Sequence, residues 1–159
     1  MRRLTIILVS LFIAAVAQAE TTSPTAIETT SAIGVWLQHC TENANQAEPL
    51  ATMMTMDCVF NSIKYCKTLP DDAAIDTCNN ALTATFTKNA AQDMQKLKAY
   101  VPKSPMRKKG WTRKLDMLKM KTHPPCPETM SKTGCEATLA GLNWSLIHTY
   151  RREIDAAEK

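Results

Sequence analysis

Six cysteines, at positions 40, 58, 66, 78, 126 and 135, constrain this 159-residue chain more than any other feature. Their count is even, and the gaps between them are 17, 7, 11, 47 and 8 residues. An even set of this kind in an exported chain is a disulfide framework, with fifteen complete pairings available to it. Export is the reading of the chain's start. Residues 1–19 look like a secretory signal, with basic Arg2 and Arg3, an apolar stretch over 4–16, and Ala17-Gln18-Ala19 as the small-x-small cleavage site. Residues 20–159 then form one domain, large enough for a core of its own. No Cys lies just past the cleavage region, so no lipid anchor is indicated, and no later stretch has the roughly 18 apolar residues of a membrane span.

Periodicity makes that domain helical. Thr25 with Glu28 forms a capping box, and Ile33, Trp36, Leu37 and Cys40 recur at helical spacing, which predicts a buried stripe ending at the polar run 41–48. Pro49 suits the first turn of a second helix reaching about Lys67, with Leu50, Met53, Met56, Val59, Phe60, Ile63 and Cys66 on one face. After Pro70, the acids Asp71 and Asp72 open a third helix. Its stripe is Ile75, Cys78, Leu82, Phe86, Ala90, Leu97 and Val101, in steps of three or four with one longer gap. Ser104-Pro105 starts a fourth helix carrying Trp111, Leu115 and Leu118. Prolines 124, 125 and 127 interrupt the chain, and a capping box of Thr133 and Glu136 opens a fifth helix. Its expected inner face is Cys135, Leu139, Leu142, Leu146, Tyr150 and Ile154. Four Gly and no alternating pattern argue against strands. The expected fold is all-α, a compact bundle of about five helices braced by disulfides.

Helix geometry narrows the cysteine pairings. Cys58 and Cys66 stand eight residues apart on one helix, about 12 Å of rise, and cannot bond without breaking it. Cys126 with Cys135 is the easiest local bridge. Cys58 with Cys78 is symmetric about Thr68 and would sit side by side in a helical hairpin, and Cys66 with Cys78 is its rival. Beside a bland alternative, a structural envelope protein, a sharper one is metal handling. Met117, Met120 and His123 stand at i, i+3 and i+6, three residues before Cys126, a thioether, imidazole and thiolate set that suits a soft metal such as Cu(I). Met53, Met54, Met56 and Cys58 form a second sulfur-rich stretch, although Met more often fills core gaps. Enzymatic chemistry has little support. Cys-x-x-Cys, His-Glu-x-x-His, Gly-x-Ser-x-Gly and a Gly-rich phosphate loop are all missing. Of the three His, His39 beside Cys40 is expected to be buried or structural rather than catalytic, and His148 to lie exposed off the inner stripe rather than to act as a general base.

Charge is split along the chain. The 19 Lys and Arg less Arg2 and Arg3 leave 17 against 15 acids, a net of +2 for residues 20–159. Residues 20–102 carry five basic and nine acidic side chains, net −4, and residues 103–159 carry twelve and six, net +6. Lys103, Arg107, Lys108, Lys109, Arg113, Lys114, Lys119 and Lys121 face only Asp116, with Trp111 among them. Aromatic plus Arg is the composition of protein-binding hot spots, so this segment is the expected partner-binding surface, with His123 at its end. Export argues against nucleic acid as the partner.

The run Gly-Val-Trp-Leu-Gln-His-Cys over 34–40 resembles the Gly-x-x-Leu-x-x-Cys opening of the Rap/Tai-type immunity proteins of type VI secretion. Cys58 with Tyr65 downstream is similar to that family's next element, and Lys-Ala-Tyr-Val-Pro over 98–102, followed later by Pro125-Cys126, is similar to its closing pattern. Cys135 and the last helix lie beyond that pattern. Cys66 and Cys78, with a long helix and then Trp111, also look like the lysozyme-inhibitor-like periplasmic cystine proteins, although the Arg and Cys that family places after its Trp are missing here. Both resemblances imply a non-catalytic periplasmic protein, without cofactor, that blocks a peptidoglycan amidase or lysozyme-like hydrolase. The first also implies a homodimer.

Overall fold

In the computed structural model, which describes residues 26–119 and 125–157, the chain folds into five α-helices, and no strand occurs among the described residues. They are α1 (Ala26–Gln46), α2 (Ala51–Cys66), α3 (Asp72–Ala99), α4 (Pro105–Lys119) and α5 (Lys132–Ala157). The all-α bundle expected from periodicity is the observed one. The expected signal at 1–19, the Thr25 cap, Met120 and His123 lie outside the described residues.

Local chemistry accounts for most helix ends, with some corrections. The polar run after Cys40 continues α1 to Gln46, because its side chains line the helix's outer face while Thr41 and Ala44 turn inward. Pro49 falls in the turn before α2 rather than in its first turn, and the Glu48–Pro49 bond is cis. Asp71 caps α3, its carboxylate accepting from the Ala74 N–H at 2.8 Å. The Thr-rich middle of α3 does not break it. Thr83 and Thr85 donate their hydroxyls back to the carbonyls of Asn79 and Ala81, both at 2.9 Å, so each is satisfied within the helix. Ser104 caps α4 as expected, its Oγ accepting from Arg107 N–H at 3.3 Å. The cap of α5 is Ser131, whose Oγ accepts from Gly134 N–H at 3.2 Å. Thr133, expected in that role, instead donates its hydroxyl to Asp76 on α3.

Helices α3 and α5 form the central pair. α2 packs on both, α1 packs on α2 and α3, and α4 attaches through half-buried Trp111 and Leu115 and buried Leu118. The inner faces are rotated from those that the large apolar residues suggest. On α1, Ile33 and Leu37 are buried but Trp36 is exposed. On α2 the inward residues are Ala51, Thr55, Cys58, Val59, Ser62, Ile63 and Cys66, while Leu50, Met53 and Phe60 face out. On α5, Ala137, Gly141, Trp144, Ile147 and His148 turn inward, and Leu139, Leu142, Leu146 and Tyr150 are only half-buried. Val101, at the end of the α3 stripe, is exposed.

Small residues explain the rotation. A Cβ on Gly141 would stand 2.5 Å from Val59 Cγ1 and 3.1 Å from Phe86 Cε2, so the absence of a side chain there lets α5 approach α2 and α3 together. Hydroxyls on the small face of α2 are satisfied internally, Thr55 donating to Ala51 O and Ser62 to Val59 O.

Three disulfides brace the bundle. Cys40–Cys58 ties α1 to α2, Cys66–Cys78 ties α2 to α3, and Cys126–Cys135 ties the preceding loop to α5. The local Cys126–Cys135 bridge is as expected. The hairpin pairing of Cys58 with Cys78 is corrected to Cys66 with Cys78. Cys58 lies about 12 Å further along α2, where it faces α1 instead. Bonds of this kind belong to an oxidising compartment. No helix among the described residues is long and apolar enough to cross a membrane.

Candidate functional site

The basic segment folds around a cleft of about 260 Å³, whose lining includes Tyr100, Pro102, Arg107, Gly110, Trp111 and Lys114, closed from the α5 side by Glu153 and Ile154. The chain leaves α3 at Tyr100, and buried Pro102 turns it toward α4. That turn sets the Tyr100 ring edge-on to Trp111, with centroids 5.3 Å apart and planes at 79°. The Trp111 indole N–H donates to Leu97 O at 3.2 Å, which locks the ring as one wall. Trp111 is therefore half-buried scaffold rather than a freely presented anchor. Lys114 is also committed. Its ammonium donates to Glu153 Oε2 at 2.6 Å and stands 4.8 Å from the centre of the Tyr150 ring. Lys103, Arg107, Lys108, Lys109 and Arg113 are exposed along the start and outer side of α4. The sequence-expected partner surface thus divides into a basic rim and an aromatic wall. Tyr100 joins this lining although it precedes the cation run and was not among the expected partner-binding residues.

The metal alternative is not assembled as its spacing suggests. Cys126 is bonded to Cys135 and offers no thiolate, Met117 is exposed on α4, and Met120 and His123 lie outside the described residues. No group of three or more His, Cys, Asp or Glu is placed to hold a metal ion among the described residues.

A second polar centre lies inside the bundle. Asp93 occupies the longer gap in the α3 stripe, between Ala90 and Leu97, and is 7% exposed. Its Oδ2 accepts from the Trp144 indole N–H at 3.1 Å and from His148 Nδ1 at 2.8 Å. Its Oδ1 lies 3.5 Å from Arg151 Nη1, and Arg151 Nη2 continues to Asp155 at 2.8 Å. His148 is buried at 6% exposure, not surface-lying as expected, and its Nε2 faces Asn45 Oδ1 at 3.1 Å. His39 is exposed rather than buried and pairs with Glu42 at 3.3 Å. Burial is the largest influence on Asp93 and opposes its ionisation. The hydrogen bond and charge of His148, the Trp144 hydrogen bond and the charge of Arg151 together outweigh it and hold the carboxyl below its ordinary range. An acid fixing Nδ1 of a histidine is the orienting half of an acid–base pair. Here the other ring nitrogen is taken up by Asn45, and all six cysteines are in disulfides. The centre joins α1, α3 and α5, and His148 and Arg151 also line a cavity of about 330 Å³ beside it.

A third feature is apolar. Val35, Trp36, Phe60 and Tyr65 are exposed on α1 and α2, and Trp36 and Tyr65 flank a groove of about 470 Å³ with Ala32, Ile33 and Asn61. Exposed aromatic clusters of this kind are interface material. Comparison of the chain with protein-family models, with curated proteins and with solved structures finds no match.

Proposed function

We propose that this chain is an exported, non-catalytic binding protein, an immunity-type inhibitor that docks on a peptidoglycan hydrolase and covers its active-site cleft. The observation that carries this reading is the α4 surface. Arg107 lines an aromatic-walled cleft, and exposed Lys103, Lys108, Lys109 and Arg113 extend the positive charge just before and along α4, on a disulfide-braced frame. Cations at a rim steer an acidic partner and set the association rate, while a rigid apolar recess supplies the contact that resists dissociation. The bridges limit the loops' freedom before binding and so reduce the entropy lost on association. The resemblance in the 34–40 and 98–126 regions supports wall-cleaving amidases or lysozyme-like hydrolases as the target class.

The test is inhibition. Oxidised protein purified from the periplasm is titrated against a panel of peptidoglycan amidases of the type VI effector class and against lysozymes, with purified peptidoglycan as substrate. One enzyme of the panel should be inhibited stoichiometrically. A triple Arg107→Gln, Lys108→Gln, Lys109→Gln variant should associate more slowly with it and show a weaker dependence on salt. Absence of inhibition across the panel removes the immunity reading. Inhibition that the triple variant retains at wild-type rates moves the docking surface away from α4, with the exposed α1–α2 aromatic face next to be tested.

A further inference from the structure

Glycine in the interior of a helix costs roughly 0.5–1 kcal/mol relative to alanine, so a mid-helix glycine calls for a reason. No glycine in the described structure has a positive φ, so backbone conformation supplies none. For Gly141 the reason is packing, since a Cβ there would collide with Val59 and Phe86. Gly110, the sixth residue of α4, differs. A Cβ built on it meets no atom within 4 Å, and the residue is exposed. Nothing in the fold requires Gly110, but it lines the cleft described above.

We propose that Gly110 keeps open an anchor pocket that receives one large apolar side chain from an acidic segment of a partner protein. This rests on α4 being the docking face and adds what that face recognises. The chemistry of the lining argues for an apolar guest. Tyr100, Pro102, Trp111 and Ile154 present ring and aliphatic surface, while the indole N–H is used by Leu97 O and the Lys114 ammonium by Glu153. The volume agrees. An apolar cavity of about 150 Å³ is enough to hold benzene, so about 260 Å³ admits a leucine or phenylalanine side chain and falls short of the usual range for small-molecule sites. Charge complementarity argues for the flanks of the guest. Arg107 stands at the lining itself, and exposed Lys103 and Lys108 adjoin the lining residues Pro102 and Arg107 along the chain, so acidic residues flanking the anchor are attracted and basic ones repelled.

The experiment is a titration of ¹⁵N-labelled oxidised protein with a synthetic acidic peptide carrying one central leucine, compared with the same peptide carrying serine there. The leucine peptide should shift the amides of Tyr100 and Gly110 and the indole N–H of Trp111, and the serine peptide should bind roughly tenfold more weakly. Gly110→Leu should fill the pocket and weaken the leucine peptide by a similar factor, with a thermal midpoint equal to or above wild type. Gly34→Ala is the control, because Gly34 on α1 has equally open surroundings and does not line this cleft. It should leave binding unchanged. The proposal is overturned if the leucine and serine peptides bind alike, if the shifts fall on the Trp36–Tyr65 face, if a folded Gly110→Leu binds like wild type, or if Gly110→Leu does not fold. Concentration-dependent shifts at the same residues without peptide would identify a second copy of this chain as the occupant and overturn it as well. Loss of the anchor effect with charge-dependent hydrolase inhibition intact refutes this pocket alone, whereas loss of both refutes the docking face.

Discussion

Replacing Asp93 with alanine removes the shared acceptor of a buried network and leaves its donors behind. The Trp144 indole N–H, at 3.1 Å, and His148 Nδ1, at 2.8 Å, lose their partner, and Arg151 loses a carboxylate 3.5 Å away. An orphaned buried donor costs about 1–3 kcal/mol, and breaking a buried charge pair from one side costs about 3–5 kcal/mol. These overlap rather than add, so Asp93→Ala should lose about 4 kcal/mol, a large part of the roughly 5–15 kcal/mol that holds a domain together. Asp93→Asn keeps one carbonyl acceptor and loses the charge, and should cost about half as much. The assay is urea unfolding of the oxidised protein, followed by circular dichroism and by tryptophan fluorescence. Acid adds a second reading. Because the folded carboxyl is held below its ordinary range, its contribution is fully present above the unfolded value near 3.9 and fades as pH falls through the lower folded value. Wild type should therefore lose stability below about pH 4, and Asp93→Asn should lose less over the same interval. A cost under about 1 kcal/mol for Asp93→Ala, or identical acid profiles for the two proteins, would refute the network as a stabilising centre.

Gly141→Ala should destabilise by about 1–3 kcal/mol, since its Cβ meets Val59 at 2.5 Å, and an unchanged urea midpoint would contradict the close approach of α5 to α2. Peptide mapping under non-reducing conditions should recover Cys40–Cys58, Cys66–Cys78 and Cys126–Cys135, and two or more free thiols in protein produced under oxidising conditions would count against this framework. Full reduction should lower the thermal midpoint, at about 2–4 kcal/mol per bridge. Trp111→Ala should lose about 2–4 kcal/mol by circular dichroism melts, because the ring is packed against Tyr100 and bonded to Leu97 O, and a fully stable variant would return Trp111 to the role of a free anchor.

Most of the helical architecture was legible in order along the chain. Pro105 behind Ser104, Asp71 before Asp72 and the Leu82, Phe86, Ala90 spacing are local signals, and they act within one helix at a time. The even cysteine count announced a disulfide framework, and helical rise excluded Cys58–Cys66, but the partner of Cys58 depended on which side of α2 faced α1. The basic segment could likewise be read as a surface, because exposed cations stay in water in any packing. Which stripe of α2 and α5 turned inward could not. Trp36, Met53 and Phe60 are large and apolar yet face out, because the helices meet on the small side, at Ala51, Ser62 and Gly141, where backbones approach closely. Asp93 and His148 show the same limit. Each breaks an apolar pattern when its own helix is read alone, and the longer gap between Ala90 and Leu97 was the only trace of the acid that fills it. Their burial makes sense only in company, since Trp144 and His148 from α5, Arg151 a turn further on and Asn45 from α1 satisfy atoms that no residue of α3 reaches. Periodicity reports the preference of one helix for an interior, and tertiary contact decides which polar groups can be satisfied there.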